Sequence, residues 1–312
     1  MRRPPNRSRL RLLAAAAALI LLSLVACEAS AQDTDTGPAG TSSGKEAQLP
    51  ALGAPPFPTG GNGFDPTDFG PDSAEIDNRY LPFVPGTQLV YVGSSIGEGE
   101  RLPRKVVTTV TDLTKVIAGV RAVVAWDRDF TDGELEESEL SFFAQDREGK
   151  VWHLGEYAEI YDGEQFDGAA PWLVGYLEGA KAGILMQADP RPGELAYSQG
   201  FAPPPYFWDD HARVVDIGRS VCVPAGCFDD VLVTEEFEPS KPGAFQLKFY
   251  APDVGDVRVG WRGVNEEERE VLVLTSLRHL GADAMQAVRE EAIAMDARGS
   301  VYGLTAPIAQ RS

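Results

Sequence analysis

The sequence predicts an all-β protein, built as a curved antiparallel sheet or open β-barrel with one C-terminal helix. Two observations carry this. From Arg104 to Tyr157, β-branched and aromatic residues recur with a period of two. Val106, Thr108 and Val110 alternate with Val107, Thr109 and Thr111. Val120, Ala122, Val124 and Trp126 alternate with polar or small neighbours, as do Ser138, Leu140, Phe142 and Ala144, and Val151 to Leu154 follow. Such alternation is the pattern of strands with two unlike faces. The runs also break at connections of hairpin length, Thr131-Asp132-Gly133 and Asp146-Arg147-Glu148-Gly149, whose Asp and Gly suit tight turns.

In chain order, the first element is a basic stretch with Arg2, Arg3, Arg7, Arg9 and Arg11, followed by an apolar run from Leu12 to Val25. A basic head and a short apolar run make an export signal over 1–26 rather than a spanning helix. The run ends Leu24-Val25-Ala26-Cys27, which resembles the lipobox of bacterial lipoproteins. That resemblance implies acylation of Cys27, cleavage before it, and a membrane partner reached through the acyl anchor. Ala29-Ser30-Ala31 also fits cleavage for soluble release, which would discard Cys27. Residues 1–26 hold five arginines and no acid, so their removal takes the net charge from −19 to −24. Such a charge repels phosphate backbones and argues against nucleic acid as a partner. It does not by itself imply a cationic partner, since solvation accounts for an acidic surface.

Residues 27–74 are rich in Gly, Pro, Ser, Thr and Asp and read as a disordered tether, spanning about 35–40 Å on average. The β-domain is expected over 75–280. It opens with Ile76 to Thr87, including Tyr80-Leu81-Pro82-Phe83-Val84-Pro85-Gly86-Thr87, and then a strand from Gln88 to Val92. This phrase resembles the start of a widespread, uncharacterised family of secreted bacterial proteins and lipoproteins. The likeness continues in Ala144 to Trp152, in Val221 to Val233, and in Phe249-Tyr250-Ala251-Pro252-Asp253-Val254-Gly255. The last phrase more distantly resembles open-barrel envelope lipoproteins that carry apolar molecules. The resemblance implies export and a β-fold but no reaction. His153 departs from it, standing where an aromatic is expected, and so do Cys222 and Cys227.

Between Tyr157 and His211 the alternation lapses into a passage rich in Gly, Pro and aromatics. A connection this long is commonly functional, so Trp172, Tyr176, Tyr206, Phe207 and Trp208 are the candidate ligand-binding residues. Capping of an open sheet end by the same aromatics is the competing reading. Strands resume at Ala212–Val221, Phe228–Phe237, Phe245–Tyr250, Val257–Trp261 and Val271–Leu277, bringing the count to about ten. Cys222 and Cys227 flank a Pro- and Gly-bearing turn between two of these strands and are expected to form a structural disulfide. Closing so small a loop adds on the order of 2 kcal/mol at most. Residues 281–312 are the helix and tail. A helix from Asp283 to Met295 places Ala284, Val288 and Ala292 on one side with Met285 and Ile293 nearby, Arg289 opposite, and Gly299 as the stop.

No motif assigns catalytic or metal-binding residues, and no cofactor is expected. Gly93-Ser94-Ser95-Ile96-Gly97 matches the nucleophile-elbow pattern, with His279 as a distant base, but turn residues follow where the elbow needs a helix. Asp127, Asp129, Asp132 and Glu134 resemble a calcium loop one residue out of register. A hairpin turn explains Asp132 and Gly133, while Asp127 and Asp129 share a strand face. Asp209-Asp210-His211 is the tight acid and imidazole group, too poor in His and Cys for zinc. The sequence therefore points to an extracytoplasmic, lipid-anchored, non-catalytic module for an apolar small molecule or an envelope protein. An extracellular hydrolase using an acidic/His cleft and a purely structural envelope protein are the alternatives.

Overall fold

The computed structural model describes residues 63–311 apart from Glu98 and Glu268. The export signal, Cys27 and the tether up to residue 62 lie outside the described residues. Five long strands form the first meander: β1 (Thr87–Gly97), β2 (Glu100–Ile117), β3 (Val120–Thr131), β4 (Glu134–Gln145) and β5 (Val151–Asp162). The expected alternating runs lie inside these strands, which extend well beyond them. Asp132 and Gly133 close the β3–β4 hairpin with φ of 53° and 84°, the left-handed pair that a two-residue hairpin turn requires.

The passage where alternation lapses contains more strand than its sequence suggests. β6 (Gln165–Leu173) and β7 (Lys181–Met186) share the far edge of β5, and β8 (Tyr197–Ser198) and β9 (Gly200–Phe201) follow. A second meander consists of β10 (His211–Val223), β11 (Gly226–Phe237), β12 (Phe245–Ala251), β13 (Gly255–Arg262) and β14 (Val271–His279). Its last strand pairs with β1, so the hydrogen-bonded order runs β8-β10-β11-β12-β13-β14-β1-β2-β3-β4-β5-β7-β9. The two ends of that order, β8 and β9, are separated in the chain only by Gln199. One short strap thus pairs with β10 on one side and β7 on the other, and draws the edges of the curved sheet together. Gly183 permits this closure, because a Cβ there would lie 2.1 Å from the strap backbone at Gln199.

One end of the barrel is covered by the segment leading into β1. Ile76, Tyr80 and Phe83 pack with Val110, Phe143, Leu232 and Tyr250. The Asn78 side chain donates to the carbonyls of Gly149 and Gln187, and Asp253 N–H donates to the Arg79 carbonyl, tying three loops of that end together. Ordered structure begins earlier than Ile76. Phe64 and Phe69 pack edge-on against Trp152 with ring centres 5.7 and 6.2 Å away, so the expected tether gives way to packed chain by residue 64.

The convex face of β2–β5 is covered as well. α1 (Ala282–Arg298) lies across it, and Leu113, Val124, Trp126, Leu140 and Phe142 pack with Val288, Ala292 and Met295 in the largest apolar cluster. The buried face of the helix is Met285, Val288, Ala292, Met295 and Asp296, which corrects the expected one. Ala284 is exposed and Ile293 is 46% exposed. Arg289, expected opposite, reaches the sheet, where its Nε and Nη2 donate to Asp112 at 2.8 and 2.7 Å. On the other flank Asp296 accepts from the buried Lys115 at 2.9 Å. These ion pairs set the rotation of the helix, which its apolar spacing alone left open. A final strand, β15 (Ala309–Gln310), adds to β2. Cys222 and Cys227 face each other in register across the β10–β11 turn, Cα atoms 4.0 Å apart and sulfurs bonded.

Candidate functional site

The concave face of the barrel encloses a cavity of about 420 Å³. Its lining follows from strand alternation. On β3 and β4, the residues facing α1 are Val124, Trp126, Leu140 and Phe142. Their neighbours Ala125, Asp127, Asp129, Glu137, Glu139, Ser141 and Phe143 face the cavity. The apolar part of the wall comes from Phe83, Leu89, Val106, Val110, Val259 and Leu272, with Trp208 entering from the aromatic passage.

Against this apolar wall stand ten carboxylates and two permanent cations, Arg104 and Lys248. Beyond Asp127, Asp129, Glu137 and Glu139, the lining includes Glu136, Glu156, Asp210, Glu236, Asp256 and Glu270. At the end opposite the Ile76–Phe83 cover, Arg104 holds three of them: Asp129 at 2.9 Å, Glu136 at 3.0 Å and Glu270 at 3.4 Å. On the β11–β12 side Lys248 pairs with Glu236 at 2.9 Å. Glu236 also accepts from Gln199 Nε2 at 3.1 Å, which links the strap to the cavity wall.

The close ion pairs of both cations lie away from Asp127, Glu137, Glu139 and Glu156. Asp127 and Glu139 feel Lys248, and Glu137 feels Arg104, only through space. In the β3–β4 register Asp127 faces Glu139, and Asp129 faces Glu137. One strand further on, Glu156 stands opposite Ser141, whose hydroxyl donates to Glu139. Burial, with Glu139 adding repulsion, pushes the Asp127 carboxyl up to about 7. Burial raises Asp129 to about 7 despite Arg104, and raises Asp210 and Asp256 to about 7 as well. Glu137 and Glu156 are driven well above the ordinary carboxyl range, by burial first and then by Glu139. Burial alone would lower Lys248, but Glu236 and Asp256 hold its ammonium above the usual value. This pattern of desolvated, mutually repelling acids in a cleft is typical of functional sites.

His153 lies at the inner end of this acid band, 4% exposed. Its ring packs against Phe143, Trp172 and Trp208 at 5.0, 5.1 and 5.4 Å, so it occupies the aromatic place expected there. Burial drives its pKa down to about 3, so the imidazole is neutral. Its Nε2 has no hydrogen-bond partner among the described residues and lies 3.6 Å from Glu156 Oε2.

The structure does not gather the candidate aromatics into one pocket. Trp208 lines the cavity. Trp172, 1% exposed, stands behind it in a small cluster with Ala180 and Ala202, against which Tyr206 packs. Tyr176 belongs to the apolar cluster beneath α1, and Phe207 is 60% exposed. Of the candidate acids, Asp127, Asp129 and Asp210 reach the cavity, whereas Asp132 and Glu134 belong to the β3–β4 turn region and are not part of its lining. His211 is also outside the lining and stacks on Phe237 at 5.9 Å. Ser95 and His279 stand at opposite ends of β1, and β1 runs into a hairpin, so no elbow or triad forms. Among the described residues, no three His, Cys, Asp or Glu side chains are grouped to hold a metal ion. No described helix is long and apolar enough to cross a membrane.

No protein-family model and no curated protein matches the chain. Among solved structures it is similar to a Bacteroides fragilis protein described as exported, with a YmcC-like fold. Identity is 15% and the TM-score 0.38, over 64% of this chain and 99% of that one. It is also similar to a protein from Parabacteroides distasonis described as a lipoprotein, at 14% identity and a TM-score of 0.30, again over 64% and 99%. At such scores the chemistry of the cavity has to be argued from its own side chains.

Proposed function

We propose that this protein is an extracytoplasmic, lipid-anchored, non-catalytic module that takes a small molecule into the interior of its barrel. The observation that carries the reading is the 420 Å³ cavity, a volume within the range of about 300–1,000 Å³ common for small-molecule sites. An export signal ending at Cys27 supports placement outside the cytoplasm at a membrane surface. So does the resemblance of residues 76–275 to secreted proteins and lipoproteins. The aromatic passage contributes Trp208 to the wall and the strap that joins the sheet edges. A non-catalytic role fits a cavity whose His is buried, neutral and packed as an aromatic. Native mass spectrometry of the mature chain, purified in mild detergent from its own host, tests the reading. The expected result is an added mass that disappears on organic extraction. A clean mass, with no thermal shift across a panel of small molecules, would overturn it.

A further inference from the structure

The cavity differs from a carrier pocket for neutral apolar molecules in the identity of its polar atoms. Along its middle, from Glu137 through Asp127 and Glu139 to Glu156, every ionisable group is an acid. Two of the cross-strand pairs set like groups face to face, an arrangement that weakens a sheet. Arg104 and Lys248 are engaged elsewhere, the former by three acids at one end and the latter by Glu236. Four polar atoms of the lining are buried without a hydrogen-bond partner among the described residues: the acceptors Asp127 Oδ1, Asp129 Oδ1 and His153 Nε2, and the donor Arg104 Nε, which faces Glu270 at 3.4 Å. His153 is 4% exposed, and Gly155 backbone is its ring's hydrogen-bond partner, which leaves Nε2 of the neutral imidazole as an acceptor. Ionised carboxylates and an imidazole lone pair accept, and a cation seated among these acids would draw their raised carboxyls into the ionised form, so the complementary group is a cationic donor.

We propose that the ligand is an organic cation, with an ammonium or guanidinium group seated among Asp127, Glu137, Glu139 and Glu156 and an apolar body against Leu89, Val106 and Leu272. The inference rests on the cavity being the binding site. An anion is disfavoured at this seat, because its carboxylate would lie among ionisable acids while Arg104 and Lys248 are already held by Asp129, Glu136, Glu270 and Glu236. A bare metal ion fits poorly, because the acids are spread along the barrel wall and no metal-holding group of three forms among the described residues. An ammonium or guanidinium group presents several donors at once, and one apolar face completes the match.

The test is calorimetric titration of the mature chain with four probes: octylammonium, 1-octanol, octanoate and calcium ion. Octylammonium is expected to saturate and to bind at least tenfold more tightly than octanol or octanoate. That preference should disappear in Asp127→Asn/Glu139→Gln, whose affinity for octylammonium should fall to the level of its affinity for octanol. Glu156→Gln, changed alone, is the second variant should the double change not fold, and the same narrowing is expected of it. Binding of octanol or octanoate as tight as that of octylammonium would overturn the cation while leaving the cavity a binding site. Binding of calcium without octylammonium would overturn it equally. No binding of any probe, together with a clean native mass, would overturn both the cation and the binding-module reading.

Discussion

Asp127 on β3 and Glu139 on β4 stand directly opposite each other in the ladder, both turned into the barrel. A like-charged pair at this spacing opposes sheet formation. The fold tolerates it by keeping the Asp127 carboxyl protonated up to about pH 7. Asp127→Asn keeps the shape and removes the charge. At pH 8 it should stabilise the protein by about 1 kcal/mol, raising Tm by about 2–4 °C. At pH 5, where Asp127 already carries its proton, the gain should vanish. Thermal melts of both proteins at the two pH values decide this, and an equal gain at both would refute the assignment.

The same raised carboxyls fix the pH dependence of the whole domain. Asp127, Asp129, Asp210 and Asp256 rise from 3.8 to about 7 in the folded chain. Between those values the folded state binds more protons than the unfolded state, so stability falls as pH rises through the window. Glu159 acts oppositely. Although burial works against it, the Arg298 guanidinium holds its carboxyl below the ordinary value of 4.5, and its contribution is lost on acidification. Stability should therefore peak near pH 5 and decline on both sides. Each 1 kcal/mol lost between pH 5 and pH 8 lowers Tm by about 2–4 °C. A Tm that climbs from pH 5 to pH 8 would contradict the buried acid band.

Lys115 carries a different kind of charge. It is 1% exposed and lies on the outer face of β2, where its ammonium donates to Asp296 and to the Ala306 carbonyl at 2.9 Å each. It also sits 4.3 Å from the centre of the Tyr302 ring. Asp296 in turn accepts from Ile308 N–H, so one ion pair holds both the helix and the chain that follows it. Lys115→Ala leaves the buried Asp296 without its counter-charge, at a cost of about 3–5 kcal/mol. Lys115→Met with Asp296→Leu removes both charges and should recover most of that loss. Chemical denaturation of the single and double variants separates the two outcomes.

The strands of the first meander were legible because alternating patterns there end in turns that only certain residues allow, as at Asp132-Gly133. What the alternation on β3 and β4 did not disclose is which face is the inside. Leu140, Phe142 and Ala144 read as a core face, and they are one, but the core is the layer under α1. The interleaved polar residues Glu137, Glu139 and Ser141 line the cavity. A barrel covered on its convex side by a helix has two insides, and local hydrophobicity marks only the dry one. The acids at i and i+2, Asp127 with Asp129 and Glu137 with Glu139, were the available signal. Their convergence became visible only once β3 and β4 were paired in register. The strap was hidden for another reason: strands of two residues are too short to show any period.

That strap offers a test of how the barrel retains a ligand. Gly183 on β7 is buried under it, and a side chain there would meet Gln199 C and Gly200 N at 2.1 Å and the Ser198 carbonyl at 2.6 Å. All three are backbone atoms, which cannot yield as a flexible side chain tip does. Gly183→Val must therefore displace the strap from β7, breaking the pairing of Lys181 with Phe201 and of Ala182 with Gly200. The β8 side remains paired to β10 through Tyr197 and Ser198, so the expected lesion is a local parting of the sheet edges beside Trp208 and Glu236. Hydrogen exchange should accelerate in residues 181–186 and 199–202, while β2–β4 stay protected. Any bound ligand should leave faster, with less change in its rate of entry. Uniform acceleration across all strands would instead mean that closure by the strap is a condition for the barrel to fold at all.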